Sequence, residues 1–525
     1  MRSAPDRLRT STSIEGSLLV GMLMGLVTGA VAIGTAHLVA GLVNPGASPI
    51  VTVGQASIDA TPEWLKGWAI RSFGSSDKLV LLSGIGTVLV LIALGLGIAS
   101  VRRLWVGFVG LGLFGAVGVV AALTRPAAEP IDALPALVGA ATAGATLLAL
   151  HRRAFPTLRS AAPEPGGGAP PDLDRRRFLL AGAAGGVAAV FAGGLGNLLG
   201  RRFRADASRA EVVIPAPSSP ATSTAGVELS VPGLGPYLTP NDRFYRVDTA
   251  LLVPGVVAED WRLRVHGMVD HEIALGYEQL LARPLIERDI TLACVSNPVG
   301  GGYVGNARWI GAPLKDLLEE AGVLPGADQI VTRSADGFTA GTPTAVAMDG
   351  RDAMLAVAMN GEPLPLDHGF PVRMIVPGLY GYVSATKWLV DIELTTFDAF
   401  DPYWIERGWA ERAPIKTMSR IDAPSPSAPL RAGRVPVAGV AWAQHRGVDR
   451  VELRIDEEAW IQAELATTDT IDTWRQWVVM WDAAPGDHTL QVRATDGNGE
   501  TQTPERADPF PNGATGYHTV VVRVT

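Results

Sequence analysis

The chain has 525 residues, enough for two or three domains. Its net charge of -8, with no basic patch laced with aromatics, argues against a nucleic-acid-binding protein. Its single cysteine excludes an intramolecular disulfide, a CxxC metal site, an iron–sulfur cluster and a c-type haem attachment motif.

The hydrophobic fraction is 47% and the mean hydropathy +0.22, both high for a soluble protein. The excess lies in the first 200 residues. Five apolar runs, Gly16–Val43, Leu79–Ser100, Leu104–Leu123, Ala133–Leu150 and Phe178–Leu199, each reach the length a helix needs to cross a bilayer. Their Gly and Ala content suits close helix packing in lipid. Arg2, Arg7 and Arg9 precede the first run. Arg102 and Arg103 separate the second from the third. His151, Arg152, Arg153, Arg159 and Arg175 to Arg177 separate the fourth from the fifth. Cytoplasmic loops collect such residues, so five crossings place everything after about residue 205 outside, with Arg201, Arg202 and Arg204 opposing this.

The stretch "DLDRRRFLLAGAAGG", 172–186, resembles a twin-arginine export signal, an address for folded proteins. Before it, "SAAPEPGGGAPPDLD" reads as a linker. His37 and His151 are the histidines in or beside the runs, and the topology puts them on opposite membrane faces. One haem iron is then hard to ligate from both sides, and a plain anchor is expected.

Residues 206–240 read as loop. An α+β domain is expected over 206–415. "WRLRVHGMV" alternates like a strand, "LGYEQLLA" and "APLKDLLEEAGV" read as short helices, and "QIVTRSADGFTAG", "GFPVRMIVPG" and "KWLVDIEL" as strands and turns. Residues 416–525 carry short alternating strands: "VPVAGVAW", "VDRVELRID", "WRQWVVMW", "HTLQVRATD" and "YHTVVVRV". Their spacing predicts an all-β, immunoglobulin-like sandwich without a disulfide. The expected architecture is therefore multi-domain: a transmembrane α-helical anchor (1–205), an α+β domain and a β-sandwich.

The cysteine, Cys294, ends the strand-like "RDITLAC" and precedes Ser296, Asn297, Pro298 and three glycines. A lone Cys is usually a small buried hydrophobe. As a thiolate it is a soft metal ligand, for molybdenum or copper, or a nucleophile. Arg246, Arg308, His368, Arg373 and Lys387 recur in the same domain. Each alone reads as a solvated charge. Together they suit phosphate-bearing ligands and small oxyanions.

The segments "NDRFYRVDTAL", "LACVSNPVGGGYVGNARWIGAPLKDLL", "MNGEPLPLDHGFPVRMIVPGLYGY" and "TKWLVDIEL" resemble the sulfite oxidase family of molybdopterin oxidoreductases. The tail, with "PIKTMSRID", is similar to that family's dimerisation domain, so a homodimer is expected. The resemblance implies the molybdenum–molybdopterin cofactor, with Cys294 as the protein ligand to the metal. It further implies pterin contacts from Asn241, Tyr245 and Arg246, a cofactor contact from Ser334, and a hold on the pterin phosphate end by His368 and Arg373. Ala385, Thr386 and Lys387 match the last cofactor-binding segment, and Arg308 matches an arginine near the substrate pocket. Catalytic roles fall on Cys294, Arg308 and Arg246. The five-helix anchor resembles membrane-fused bacterial members.

The implied activity is oxygen-atom transfer on a small oxyanion or a sulfoxide, with electrons exchanged through a separate carrier, a cytochrome or quinone-linked protein. Phe338 stands near where animal sulfite oxidases place a tyrosine, which removes a hydroxyl donor. Two other classes compete. A cofactor-free, membrane-anchored binding protein would not need Cys294, His368, Arg373 and Lys387 together. A thiol peroxidase would need a resolving thiol from elsewhere.

Overall fold

The computed structural model describes residues 6–62, 65, 77–125, 128–155, 171–200, 205–222, 225–425 and 429–525. Arg2, Arg159, Arg201, Arg202, Arg204 and most of the expected linker lie outside them, as do the side chains of Arg7, Arg9, Arg175 and Arg177. The chain divides into two compact units, 1–204 with 250–253, and 205–249 with 254–525.

The first unit is helical: α1 (Asp6–Val43), α2 (Pro49–Asp59), α3 (Asp77–Arg102), α4 (Leu104–Leu123), α5 (Leu134–Ala154) and α6 (Pro171–Gly200). Among the described residues five stretches are long and apolar enough to cross a membrane: Leu18–Val43, Val80–Arg102, Leu104–Leu123, Pro130–Ala154 and Phe178–Leu198. Glycine sets the helix spacing. A Cβ on Gly25 of α1 would sit 1.9 Å from the Ala93 carbonyl oxygen of α3, and one on Gly41 would sit 2.3 Å from that of Gly196 in α6. Only backbone fits there, so the helices meet at close range.

α1 and α5 run antiparallel. Thr35 Oγ1 meets Thr142 Oγ1 at 2.7 Å, while Met24 packs with Leu147 and Leu150. His37 and His151 therefore lie at opposite ends of this pair. Near the His37 end, Asp132 is buried and accepts from Asn44 Nδ2 at 3.0 Å. α2 was not foreseen in the sequence. α6 begins seven residues before the apolar run, at Pro171, so the arginine triplet lies on the helix.

The second unit opens with α7 (Ala205–Glu211) and an irregular segment that reaches Trp261. Its mixed part contains β1 (Arg262–Gly267), β2 (Ile273–Gly276), α8 (Tyr277–Leu281), β3 (Ile286–Ala293), β4 (Val304–Pro313), α9 (Leu314–Ala321), β5 (Gln329–Ser334), β6 (Thr339–Pro343), α10 (Thr344–Met348), β7 (Met354–Met359), β8 (Glu362–Pro363), β9 (Arg373–Ile375), α11 (Gly381–Ser384) and β10 (Leu389–Thr395). One sheet has the order β2-β1-β10-β5-β6, with β1 and β10 parallel. The other runs β3-β4-β7-β8, and β9 also pairs with β7. α9 follows from its pattern: Leu314, Leu317, Leu318 and Ala321 form one buried face, and Gly322 ends it at φ +69°.

The C-terminal part is all-β: β11 (Met418–Ala423), β12 (Gly433–Trp442), β13 (Val448–Ile455), β14 (Ile461–Gln462), β15 (Glu464–Leu465), β16 (Arg475–Ala483), β17 (Gly486–Asp496) and β18 (His518–Val524). Two four-stranded sheets, β11-β12-β16-β15 and β14-β13-β17-β18, enclose Val437, Trp477, Leu453, Leu490, Val492 and Val522. The two parts of this unit are joined through buried polar contacts. The backbone of Thr291 donates to Asp472 O and accepts from Gln444 Nε2, and its hydroxyl accepts from the Trp474 amide.

Candidate active site

Side chains alternate between faces along a strand, so Ile290, Leu292 and Cys294 point the same way from β3 and just beyond it. Ile290 and Leu292 are core residues, and Cys294 is 9% exposed. The loop that follows is closed by Asn297. Its side-chain oxygen accepts from the Tyr303 amide at 2.9 Å, and the Cys294 amide donates to Tyr303 O at 2.9 Å. A Cβ on Gly301 would stand 2.4 Å from that Asn297 oxygen. The β-sheet part braces the same loop: Arg420 Nη1 donates to Gly301 O at 2.9 Å, and the His518 ring covers Gly300. Burial raises the Cys294 thiol above its ordinary pKa, against hydrogen bonding from Ser296.

On the same face of the ladder lies Trp309 of β4, and the Arg373 guanidinium of β9 covers its ring at 5.1 Å. Arg373 is 5% exposed. Its Nη1 donates to His368 O at 3.2 Å and its Nη2 to Ala385 O at 3.4 Å, while Nε has no partner among the described residues. Burial lowers its pKa to about 10.

His368 packs edge-on against Phe244 and sits with Nε2 3.1 Å from the Asn241 carbonyl oxygen. Burial, then the charges of Arg373 and Lys387, lower its pKa to about 4. The ring is neutral near pH 7. A carbonyl only accepts, so Nε2 carries the proton and Nδ1 is the acceptor.

Lys387 Nζ donates to Asp248 Oδ2 at 2.7 Å and to Asp367 O at 3.1 Å. Burial lowers its pKa to about 8, against the charge of Asp248. Arg246 Nε donates to the same Asp248 oxygen at 2.8 Å, and its Nη1 lies 3.3 Å from Asp367 Oδ1. The Tyr245 ring is partly buried and stacked on Phe244, and its phenol is held neutral by burial and then by the nearby Cys294. Gly381 opens space beside Tyr245 Oη and Ala385.

The remaining expected residues fall around this centre with their polar groups committed. Asn241 Nδ2 donates to Glu362 Oε1, and its Oδ1 accepts from Asn360 Nδ2 at 2.8 Å. Thr386 Oγ1 meets Thr332 Oγ1 at 2.6 Å. Ser334 is buried at the end of β5, opposite Leu389.

Arg308 is not gathered with them. In the β3–β4 register it stands opposite Asp289, whose carboxylate it holds bidentately at 2.8 and 3.0 Å. Asp289 is five residues from Cys294, roughly 16 Å along the strand, and has the opposite parity. The expected place of Arg308 beside the reacting centre is therefore corrected: its side chain leaves the other face of the sheet.

Sequence reading missed Asp248, which joins Arg246 to Lys387, and Trp309, which carries Arg373. It also missed Tyr380, 4% exposed beside Cys294, whose pKa burial raises to about 12. Phe338 packs 5.9 Å from Tyr403, so a second aromatic ring borders the position where a tyrosine was sought. "YRVD" and "PLDHG" place acids next to the basic residues, the one signal that could have found Asp248 and Asp367.

Residues 250–404 match the oxidoreductase molybdopterin binding domain family. The mitochondrial sulfite oxidase of Drosophila melanogaster is 30% identical over 346 residues, 55% of this chain and 60% of the relative. The uncharacterized oxidoreductase YuiH of Bacillus subtilis (strain 168) is 35% identical over 152 residues, 29% of this chain and 73% of the relative. The solved sulfane dehydrogenase SoxCD from Paracoccus pantotrophus is 23% identical at a TM-score of 0.48, covering 55% of this chain and 84% of that one. The chain spans between 52% and 60% of the length of the animal sulfite oxidases it matches.

The side chains present fit the cofactor that this family binds. A buried guanidinium with a free Nε and no carboxylate partner among the described residues calls for an anion. A buried free thiol, Cys294, lies near the same Tyr245 phenol as this guanidinium. The chain belongs to the sulfite oxidase family of molybdopterin-dependent oxidoreductases.

Proposed function

We propose that the protein is a membrane-anchored molybdopterin oxidoreductase acting on a small oxyanion or a sulfoxide and exchanging electrons with a separate carrier. The observation that carries this reading is the buried, partly unpartnered Arg373 guanidinium, which lies near the same Tyr245 phenol as the free Cys294 thiol.

In this proposal Cys294 is the protein ligand to molybdenum. Arg373 holds the phosphate end of the pterin through its guanidinium donors, and neutral His368, whose Nε2–H is spent on the Asn241 carbonyl oxygen, borders that end with Nδ1 as an acceptor for a cofactor N–H or O–H. Asn241, Tyr245, Ser334, Ala385, Thr386 and Lys387 shape the walls. When bound, the cofactor supplies two-electron oxygen-atom transfer. The chain supplies position and charge. Arg246, Lys387 and Arg373 outnumber Asp248 and Asp367, which favours an anion. Arg246, with 34% of its side chain exposed, is the cation able to meet a substrate from solvent.

The five apolar helices support a bilayer anchor, and the Lys/Arg distribution supports a catalytic domain on the extracytoplasmic side. The arginine triplet before Phe178 supports twin-arginine export. The division at 205 and 415, and an immunoglobulin-like, dimer-forming role for the C-terminal sheets, belong to the same reading.

The test is turnover by the cofactor-loaded full-length protein with sulfite and an artificial electron acceptor, and with methionine sulfoxide and an artificial donor. Activity with one of them, lost in Cys294→Ser at unchanged folding, is expected. Full activity in that variant contradicts the assignment.

A further inference from the structure

The helical unit contains an apolar slot of about 190 Å³. Its walls come from α1, α2, α3, α4 and α5, and on α4 it runs from Gly107 to Gly118, about 16 Å at 1.5 Å per residue. Its mouth is bordered by the exposed Ile92, Phe114 and Val117.

One wall residue breaks a local rule. Thr35, Thr87, Ser100, Thr142 and Thr146 each return their hydroxyl to the carbonyl four residues earlier, as helical Thr and Ser do in an apolar setting. Thr28 lines the slot, is 4% exposed, and its Oγ1 has no partner among the described residues. A buried hydroxyl without a partner costs free energy that a ligand acceptor would recover.

We propose that this slot binds a lipid-soluble quinone, with the ring at Thr28 and the isoprenoid tail leaving through the mouth between α3 and α4. The Thr28 hydroxyl donates to a ring carbonyl, and the apolar walls hold the ring faces. The volume exceeds the ~150 Å³ in which a benzene ring is held.

Depth separates a quinone from a phospholipid. Thr28 lies about 4 Å along the axis from the middle of the span Leu18–Val43. Phospholipid ester oxygens lie at the edges of the hydrocarbon core, about 15 Å from its centre, and do not reach that depth. A quinone carries its carbonyls on a ring apolar enough to enter. The inference rests on reading these helices as membrane-embedded.

The experiment is titration of decylubiquinone into the full-length protein in phospholipid nanodiscs, with bound quinone quantified after gel filtration. Saturable binding near one per chain is expected, weakened about ten-fold in Thr28→Val and kept in Thr28→Ser. Absence of saturable binding, or equal affinity in Thr28→Val, overturns the site. Carbonate extraction of the native membranes separates the two failures. Protein released by carbonate refutes the membrane reading itself, while retained protein without binding refutes only the quinone site.

Discussion

Arg373 lies over the face of Trp309 at 5.1 Å, and its Nε has no partner among the described residues. A cation–π contact and two backbone carbonyls do not compensate a guanidinium removed from water. Arg373 is thus a cation waiting for an anion. Arg373→Met should stabilise the cofactor-free protein, by about 1 kcal/mol or more, and lower the cofactor content of protein made in cells that build the cofactor. Thermal melts of the apo form and pterin assays of the loaded form check the two signs. A destabilised apo form would place Arg373 in the ordinary structural scaffold.

His368 gives a pH signature. Its folded pKa is about 4 and its ordinary value 6.5, so between those values the unfolded chain binds more protons than the folded one. The contribution is intact above pH 6.5 and is lost as pH falls toward 4. The slope is at most roughly 1.4 kcal/mol per pH unit. Denaturant melts of the wild type and His368→Gln should therefore diverge in this window, the wild type losing more on acidification. Parallel curves would mean that the ring is solvated.

The turn after Cys294 depends on Asn297 and Gly301. Gly301→Ala puts a Cβ where the Asn297 side-chain oxygen stands, 2.4 Å away, and must break its bond to the Tyr303 amide. A loss of about 1–3 kcal/mol is expected, with faster alkylation of Cys294 in the apo form. Unchanged alkylation would show that the turn does not hold the thiol.

Arg308 and Asp289 form a bidentate pair on the far face of the β3–β4 ladder. Arg308→Lys should lower stability by about 1–2 kcal/mol and leave KM for an anionic substrate within two-fold. A large KM effect at normal stability would return Arg308 to the substrate pocket.

Much of this fold is legible in the sequence because its elements carry a period or a length. The five long helices stand out by length alone, whereas α2, 11 residues long, is too short to span. α9 and β10 show their periods. β7 was missed because Met354 to Met359 are all buried, leaving no alternation to read. β14 and β15, two residues each, carry no pattern. At the site, motif resemblance reached Cys294, His368, Arg373 and Lys387, which the structure gathers. It failed for Arg308, because a loop of nine residues separates Cys294 from Val304 and hides on which face each side chain emerges. It passed over Asp248, since an acid beside an arginine in a loop reads as solvent-facing until folding buries it.

The central claim is that the pocket of Cys294 and Arg373 holds a molybdopterin. The most direct measurement is metal and pterin analysis of the full-length protein purified from cells able to build the cofactor. About one molybdenum and one pterin per chain is the predicted result, falling sharply in Arg373→Ala. A folded protein with neither would contradict the account and leave Cys294 a buried apolar side chain.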